Sequence, residues 1–247
     1  MLHSLRLLLL GVHFLVAGAI NFVIVLWRPF NPDNTRLCGR VYSLPALRIL
    51  GLDVQLQDES LRARTSPCVI VANHQSNYDL FILGSVVPRQ TATVGKKSLR
   101  WIPFFGQIYW LAGNVLIDRG NAAQARQAML KTTDTLQRQG TSIWVFPEGT
   151  RNHGKGLLPF KKGAFQMAIN AGVPIVPLCC SNYRRSMRLN RWHSGKLVIR
   201  TLPPIPTAGL SLDDMPELMA RCRQQMADCI DTLDAADAAN TAARHVS

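Results

Sequence analysis

The sequence predicts an α/β protein with a mixed, partly parallel sheet flanked by helices, preceded by an N-terminal membrane-anchoring helical segment. Three observations lead to this fold class. Short apolar runs typical of buried strands recur along the chain, stretches with helical signals separate them, and a long uncharged run lies near the amino terminus. The strand-like runs cover residues 68–72, 142–146, 173–180 and 196–202.

The amino-terminal run has the length of a bilayer-spanning helix. Residues 7–27 contain no Asp, Glu, Lys or Arg, and about 20 apolar residues suffice to cross a hydrocarbon core of roughly 30 Å. Small residues at 17–19 resemble a signal-peptide cleavage site, but the apolar run continues past them to Trp27, which suits a membrane interface. The run predicts an uncleaved anchor, and hydropathy leaves open whether it spans the bilayer or lies in one leaflet.

The charge distribution favours an anionic partner and a cytoplasmic location. The 247-residue chain has a formal net charge of +13 and a pI near 10.1, which fits phospholipid, a phosphorylated substrate, an acidic protein or nucleic acid. The positive-inside rule then places the bulk of the chain in the cytoplasm, because four arginines and a single acid, Asp33, follow the anchor. These are Arg28, Arg36, Arg40 and Arg48. They suit anionic headgroups as well as an ordinary solvated face.

The six cysteines indicate a reducing compartment. None forms a C-x-x-C pair, and Cys68, Cys179 and Cys180 lie in strand-like runs, where cysteine packs as a small hydrophobic residue. We therefore expect neither a disulfide framework nor a zinc site.

Three segments carry helical signals. Residues 122–139 predict a helix that Gly140 ends, and residues 162–171 predict a shorter one that Gly172 ends. A C-terminal helix is predicted by a capping box at 211–214 and by a following apolar stripe at helical spacing. The stripe consists of Met215, Leu218, Met219, Cys222, Met226, Cys229, Ile230 and Leu233.

The stretch from Asn73 to Asp79 carries the clearest chemical signal. It follows a strand-like run, and its S-x-x-D pattern predicts a helix with Ser76 as N-cap and Asp79 in the first turn. Residues five apart on a plain helix are separated by about 140°, so a bend at the cap is needed if His74 is to meet Asp79. A carboxylate on one imidazole nitrogen fixes the tautomer and leaves the other nitrogen as a base. A surface capping pair is the alternative interpretation.

Two further stretches place basic residues where a phosphate could bind. Lys96 and Lys97 precede an aromatic segment at 101–106, which suits a place where phosphate meets an acyl chain or a membrane. Arg119 follows Asp118 after a short apolar run, and an arginine at a strand end can clamp two phosphate oxygens. A packed aromatic loop and a surface ion pair are the alternatives.

Residues 146–151 bring four polar positions together after a strand-like run, the usual place for ligands in open α/β sheets. Gly149 allows close backbone approach, Thr150 adds a hydroxyl, and Arg151 can hold a phosphate. Glu148 can orient Arg151 or a substrate hydroxyl. A turn with an internal Glu–Arg pair is the alternative interpretation.

Together these stretches resemble the glycerolipid acyltransferase family, and most of all its bacterial 1-acyl-sn-glycerol-3-phosphate (lysophosphatidate) acyltransferases. The family carries N-H-x4-D, G-x-x-F-I-D-R, F-P-E-G-T-R and V-P-I-x-P in that order. Corresponding stretches lie at residues 73–79, 113–119, 146–151 and 173–177. Leu116 replaces a common Phe and Asn152 replaces a common Ser, which leaves acyl-chain and acceptor preference open.

The resemblance implies transfer of a fatty acyl group from acyl-CoA or acyl carrier protein to the sn-2 hydroxyl of lysophosphatidate, giving phosphatidic acid, with no metal or other cofactor. His74 would take the hydroxyl proton and Asp79 would hold the imidazole tautomer. Backbone amides at the Ser76 turn are the expected oxyanion donors, and Pro174 and Pro177 would shape the acyl cleft. The substrate-binding residues would be Lys96, Lys97, Arg119, Glu148, Gly149, Thr150 and Arg151.

The expected organisation is a membrane anchor at 1–30, a catalytic domain at 31–235 and a flexible tail at 236–247. We expect the protein at a bacterial inner membrane, with the catalytic domain on the cytoplasmic side. The expected partners are the phospholipid bilayer, lysophosphatidate and the acyl donor, and not nucleic acid.

Three alternatives are set against this interpretation. The same machinery could serve another lysolipid, such as lyso-ornithine lipid, and an acceptor without phosphate would make Arg119 and Arg151 less important. A hydrolase with Ser76 as nucleophile lacks the G-x-S-x-G elbow. A basic, membrane-anchored protein that only binds nucleic acid or anionic lipid would bind in a strongly salt-dependent way without His74, but it leaves the four ordered motifs unexplained.

Overall fold

A sheet with helices on both faces forms the body of the protein, which confirms the predicted fold class. The structure is a computed structural model and describes residues 1–58, 60–63, 66–118, 120, 132–134 and 139–246. Within these residues seven strands form one sheet in the order β1-β7-β6-β2-β5-β3-β4, parallel at every pair except β6 with β7. The strands are β1 Leu52–Gln57, β2 Val69–Ala72, β3 Thr91–Lys96, β4 Val115–Ile117, β5 Ser142–Val145, β6 Ile175–Cys180 and β7 Gly195–Thr201.

The four strand-like runs of the sequence correspond to β2, β5, β6 and β7. β2 and β6 are buried at every position, because helices cover both faces of a central parallel strand and select continuous apolar runs. β1 and β3 were not predicted as strands from the sequence. β1 has polar residues at alternate positions, as expected of a strand at the edge of the sheet, and β3 contains a single large apolar residue, Val94.

The described helices lie in two layers. α1 and α2 pack on the face of the sheet that carries Ile70 and Ala72, and α6 and α8 pack on the face that carries Val69 and Val71. This alternation follows from the two-residue period of a strand. The helices are α1 Leu2–Trp27, α2 Asn34–Leu50, α3 Ser60–Ala63, α4 Asp79–Leu83, α5 Phe105–Leu111, α6 Gly163–Ala171, α7 Tyr183–Ser186 and α8 Met215–Val246.

Two of the three predicted helices are confirmed. α6 ends at Gly172, whose φ of +64° is the left-handed conformation that glycine adopts without strain. The capping box of Ser211 and Asp214 is formed ahead of α8, and all eight residues of the predicted apolar stripe are buried or partly buried in one core cluster. The helix predicted at 122–139 lies largely outside the described residues.

α1 is long and apolar enough to cross a membrane, and one side of it is packed against the rest of the protein. The His13 ring is 2.9 Å from the Tyr42 carbonyl oxygen, and Asn21 Nδ2 donates to the Cys38 carbonyl at 3.3 Å. The opposite side of α1 exposes large apolar residues: Leu5, Leu8, Leu9, Val12, Leu15, Val16, Ile20, Val23 and Leu26. α1 therefore shares a core with the sheet and presents a separate apolar surface.

The domain boundaries at residues 30 and 235 stay predictions. Leu10 and Ala17 of α1 belong to the same core cluster as β2, and α8 continues as a helix past residue 235 to Val246.

Candidate active site

The carboxyl ends of β6, β2, β5, β3 and β4 lie along one edge of the sheet, because these strands are parallel. The strand registers pair Ile70 with Trp144, Trp144 with Thr93, and Lys96 with Ile117. Continued past the strand ends, these registers align four residues that follow the strands, called here the row: His74, Glu148, Lys97 and Asp118. Two contacts agree with this alignment, since the His74 amide donates to Glu148 at 2.7 Å and Lys97 Nζ is 3.2 Å from Asp118 Oδ2. Neighbouring strands are about 4.8 Å apart, so two strand spacings, roughly 10 Å, lie between β2 and β3.

His74 and Asp79 are in direct contact at this edge. The His74 Nδ1 atom is 2.6 Å from Asp79 Oδ2, with 21% of the His74 side chain and 3% of the Asp79 side chain exposed. The bend that the sequence required is formed by residues 75–78. With Nδ1 held by the carboxylate, Nε2 is the ring nitrogen left for a substrate hydroxyl.

The Asp79 carboxylate organises the whole turn. Its Oδ2 atom also accepts hydrogen bonds from the Gln75 and Ser76 amides, at 2.7 and 3.0 Å. These contacts close the turn around the side chain, so α4 begins at Asp79, two residues later than predicted. Because both amides point at Asp79, neither the Gln75 nor the Ser76 amide is directed at a substrate, and the expected oxyanion donors at this turn stay a prediction.

Tyr183 completes the support of Asp79 and was not identified from the sequence. Its hydroxyl donates to Asp79 Oδ1 at 2.5 Å and lies 2.8 Å from Ser76 Oγ. Burial and the neighbouring Asp79 charge raise the pKa of Tyr183 far above its usual value, so the hydroxyl keeps its proton. Tyr183 follows β6, which is the neighbour of β2 in the sheet. The one sequence signal for Tyr183 was its position just after the carboxyl end of a strand-like run, since His74 follows another such run.

Asn73 and Gln75 fasten this turn to the end of β6. Asn73 exchanges two hydrogen bonds with the Cys180 backbone, both at 2.8 Å. Gln75 Nε2 donates to the Ser181 carbonyl at 2.8 Å. The residues flanking His74 are therefore held by main-chain groups of the neighbouring strand, which restricts the position of the imidazole.

Glu148 is buried and holds the backbone of His74. It is 2% exposed, and its carboxylate accepts from the His74 amide at 2.7 Å, from the Leu158 amide at 2.9 Å and from the Asn152 side chain. Burial raises the pKa of Glu148, and these donors partly offset that shift. The Asn152 amide in turn donates to the His74 carbonyl at 2.8 Å. Within the described residues Glu148 forms no ion pair with Arg151.

The rest of the 146–151 loop surrounds the histidine. The Phe146 ring stacks on the His74 ring with centroids 4.1 Å apart and 17° between the planes. Gly149 has a φ of +70°, which explains the need for glycine at this turn. Thr150 and Arg151 are exposed, immediately before the Asn152 amide that contacts His74. Arg151 is therefore free to meet a ligand beside the imidazole.

A cationic cavity of about 440 Å³ lies at the other end of the row, where β3 and β4 end. Its lining consists of Lys96, Lys97, Ser98, Arg100, Trp101, Ile117, Asp118 and Gly120. Lys97 Nζ is 3.2 Å from Asp118 Oδ2. This ammonium group and the Gly120 amide lower the pKa of Asp118, so that carboxylate stays ionised and offsets one of the lysines. Arg119 lies outside the described residues.

Pro174 and Pro177 are not brought to this edge. Pro174 precedes β6 at the opposite edge of the sheet, where its carbonyl accepts from the Val69 amide at 3.0 Å. Pro177 pairs with Val71 within the sheet. Among the described residues no group of three or more His, Cys, Asp or Glu side chains is placed to hold a metal ion.

Known proteins are similar to this sequence over most of its length. The 1-acyl-sn-glycerol-3-phosphate acyltransferases of Salmonella typhimurium and Escherichia coli are each 41% identical to it over 234 residues, which is 95% of this chain and 95% of theirs. The human 1-acyl-sn-glycerol-3-phosphate acyltransferase alpha is 39% identical over 217 residues, covering 85% of this chain and 76% of the human one.

A solved structure has the same fold. The crystal structure of the 1-acyl-sn-glycerophosphate acyltransferase of Thermotoga maritima matches with a TM-score of 0.72 at 24% identity, covering 94% of this chain and 98% of the other. The sequence model of the acyltransferase family matches residues 53–181, which include β2, β5 and the row from His74 to Asp118. With this match over more than half of the chain and relatives at 41% identity, the protein belongs to the acyltransferase family.

Proposed function

We propose that this protein transfers a fatty acyl group from acyl-CoA or acyl carrier protein to the sn-2 hydroxyl of 1-acyl-glycerol-3-phosphate and so makes phosphatidic acid. The observation that carries the proposal is the His74–Asp79 contact of 2.6 Å in the same row as Lys97 and its cationic cavity. This arrangement supports a base that acts on an acceptor whose phosphate binds in the cavity. Relatives that carry the name of this activity cover 95% of the chain.

His74 acts as the general base. Its Nε2 atom removes the proton of the acceptor hydroxyl while the hydroxyl oxygen attacks the thioester carbonyl carbon, a step that contributes about 10²–10⁴-fold to the rate. The tetrahedral intermediate then expels the thiolate, which takes the proton from the His74 imidazolium. Asp79 fixes the tautomer and stabilises the charged ring between these two transfers.

The other predicted site residues have different roles in binding the acceptor and in positioning His74. Arg151, in the loop after β5, and Lys96, at the end of β3, are exposed cations that bind the phosphate of the acceptor, with Lys97 partly offset by Asp118. Arg119 joins them. Gly149 and Thr150 shape the turn that presents Arg151. Glu148 does not contact the substrate and instead holds the His74 backbone against the 146–152 loop.

The protein works at the cytoplasmic face of a bacterial inner membrane, where α1 holds it to the bilayer. The exposed side of α1 carries large apolar residues along the helix, and apolar area of this kind is stable in the hydrocarbon region rather than in water. The arginines that follow α1 favour the cytoplasmic side.

The test measures thiol release from acyl-CoA and from acyl carrier protein by detergent-purified protein, with and without 1-acyl-glycerol-3-phosphate. We expect release that depends on the acceptor and is lost in His74→Ala. His153→Asn is the matched control, because His153 is exposed and has a φ of +55°, a conformation that Asn tolerates. Both variants should keep the wild-type melting temperature.

Each other outcome contradicts part of the proposal. Release without acceptor would identify a thioesterase. Release that needs a lyso-ornithine lipid instead of lysophosphatidate would keep the His74 chemistry but reassign the acceptor. No release with either donor would remove the acyltransferase assignment.

A further inference from the structure

The segment from Arg184 to His193, called here the arginine segment, is a concentrated patch of positive charge. Residues 149–212 contain no Asp or Glu and hold ten lysines and arginines. Four of these lie within eight positions, and all four are exposed: Arg184, Arg185, Arg188 and Arg191. In the described part of the chain none of the four forms a salt bridge. Arg185 interacts with Asp234, and the charge of the other three is presented to an external partner.

A large aromatic side chain stands within this charge. Trp192 is 79% exposed, although a tryptophan buries more apolar area than any other side chain when a partner covers it. Tryptophan beside arginine is typical of proteins at a membrane surface, where the indole lies at the level of the headgroups and the guanidinium binds phosphate.

Arg6 of α1 fastens the arginine segment to the amino-terminal helix. Its guanidinium donates to the carbonyl oxygens of Arg191 and Trp192, each at 2.7 Å, to that of Leu189 at 3.1 Å, and to Ser194 Oγ. Arg6 is 4% exposed. A buried cation is costly unless its donors are satisfied, so this set of four acceptors fixes one arrangement of helix and segment.

This contact also leaves no space for a side chain at Gly51, where α2 ends and β1 follows. A Cβ atom added at Gly51 would lie 2.3 Å from the Trp192 carbonyl oxygen and 2.5 Å from Arg6 Nη2. Leu5 and Leu9, on either side of Arg6 along α1, are exposed. The exposed apolar side of α1 and the arginine segment therefore meet at the first turns of the helix.

We propose that the arginine segment is a second membrane contact, which binds the anionic headgroups of phospholipids while the exposed side of α1 enters the apolar layer. Trp192 lies at the boundary between the two. Arg6 sets the position of the arginine segment relative to α1. Because α7 and the arginine segment connect the carboxyl end of β6 to the start of β7, both contacts then hold the active-site edge of the sheet at a fixed distance from the bilayer. The exposed leucines favour a lipid surface over an acidic protein as the partner.

The test compares binding of the full-length protein to vesicles of phosphatidylcholine alone and of phosphatidylcholine with phosphatidylglycerol in equal parts, by flotation. The variant Arg188→Gln/Arg191→Gln removes two charges and leaves Arg185, which interacts with Asp234, in place. Each arginine near an anionic surface contributes about a factor of five, so we expect affinity for the anionic vesicles to fall about 25-fold and affinity for phosphatidylcholine to stay unchanged.

Lys162→Gln/Arg221→Gln is the matched control. It removes the same charge from exposed residues at α6 and α8, on the face of the sheet opposite to α1, and should change neither affinity by more than about twofold. Trp192→Ala should weaken binding to both vesicles roughly tenfold, through lost apolar burial. Equal losses in the control and in the arginine variant would overturn the proposal. So would normal vesicle binding combined with impaired transfer from acyl carrier protein alone, which would assign the patch to an acidic protein.

This inference does not depend on the acyl transfer proposed above, because vesicle binding is measured without substrate. A His74→Ala protein should bind anionic vesicles as the wild type does.

Discussion

The two ends of the row at the sheet edge are built in different ways. At the His74 end, the Asp79 and Glu148 carboxylates are buried and accept hydrogen bonds from several backbone and side-chain donors. The Lys97 end is exposed, and its residues line an open cavity with the Lys97–Asp118 ion pair on one side. Proton transfer requires reacting atoms to be held within about 0.5 Å of the productive geometry, whereas long cationic side chains can follow a phosphate.

This difference predicts that replacing a buried carboxylate at the His74 end lowers kcat more than removing a charged group at the Lys97 end does. Asp79→Asn should lower kcat by about 10²–10⁴-fold, because the amide no longer stabilises the imidazolium and points an N–H at one of its former donors. The KM for lysophosphatidate should stay the same. Steady-state kinetics with both substrates measure this effect.

Asp118→Asn is the control for Asp79→Asn, since it removes the carboxylate at the open end of the row. We expect less than a fivefold change in kcat for that variant. Equal losses in the two variants would show that the buried carboxylate has no special part.

Tyr183→Phe tests whether the support of Asp79 matters in itself. A hydrogen bond to a charged group contributes about 1.5–3 kcal/mol, so we expect kcat to fall at least about tenfold while the KM values for donor and acceptor stay constant. Tyr109→Phe is the comparison, because the Tyr109 hydroxyl contacts Thr93 at 2.7 Å away from the carboxylates. If both variants lost only stability, as seen in their melting temperatures, Tyr183 would be a packing residue.

The smallest expected effects concern the two lysines. Lys96→Gln should raise the KM for lysophosphatidate about fivefold, since an exposed charge pair contributes up to about 1 kcal/mol. Lys97→Gln should raise it less, because Asp118 already offsets that charge. Both effects should shrink at high salt. A fall in kcat with unchanged KM would remove the lysines from phosphate binding.

The sequence predicted the parts of the site that depend on local pattern. The S-x-x-D signal after a strand implied a bend, and the structure places His74 and Asp79 in contact across it. Likewise the apolar runs of β2 and β6 were evident because central strands are buried on both faces. Which strands are neighbours was not evident, and the row from His74 to Asp118 exists only through the order β2-β5-β3-β4.

Contacts over long sequence distances account for what the sequence did not reveal. Tyr183 supports Asp79 from 104 positions away, and Arg6 bonds to residues beyond 188. Neither residue belongs to a motif, since their function depends on where the fold brings them. Glu148 shows the reverse case: its motif was recognised, but its burial against the His74 amide could only come from the structure.

The position of Arg6 also sets an order of events as the protein is made. Its acceptors lie 183 to 188 positions further along the chain, so the first turns of α1 leave the ribosome long before their partners exist. At about 5–20 residues per second this interval is on the order of 10–40 s. Until then the guanidinium must stay in water or among lipid headgroups. α1 is thus synthesised well before it can reach its final place.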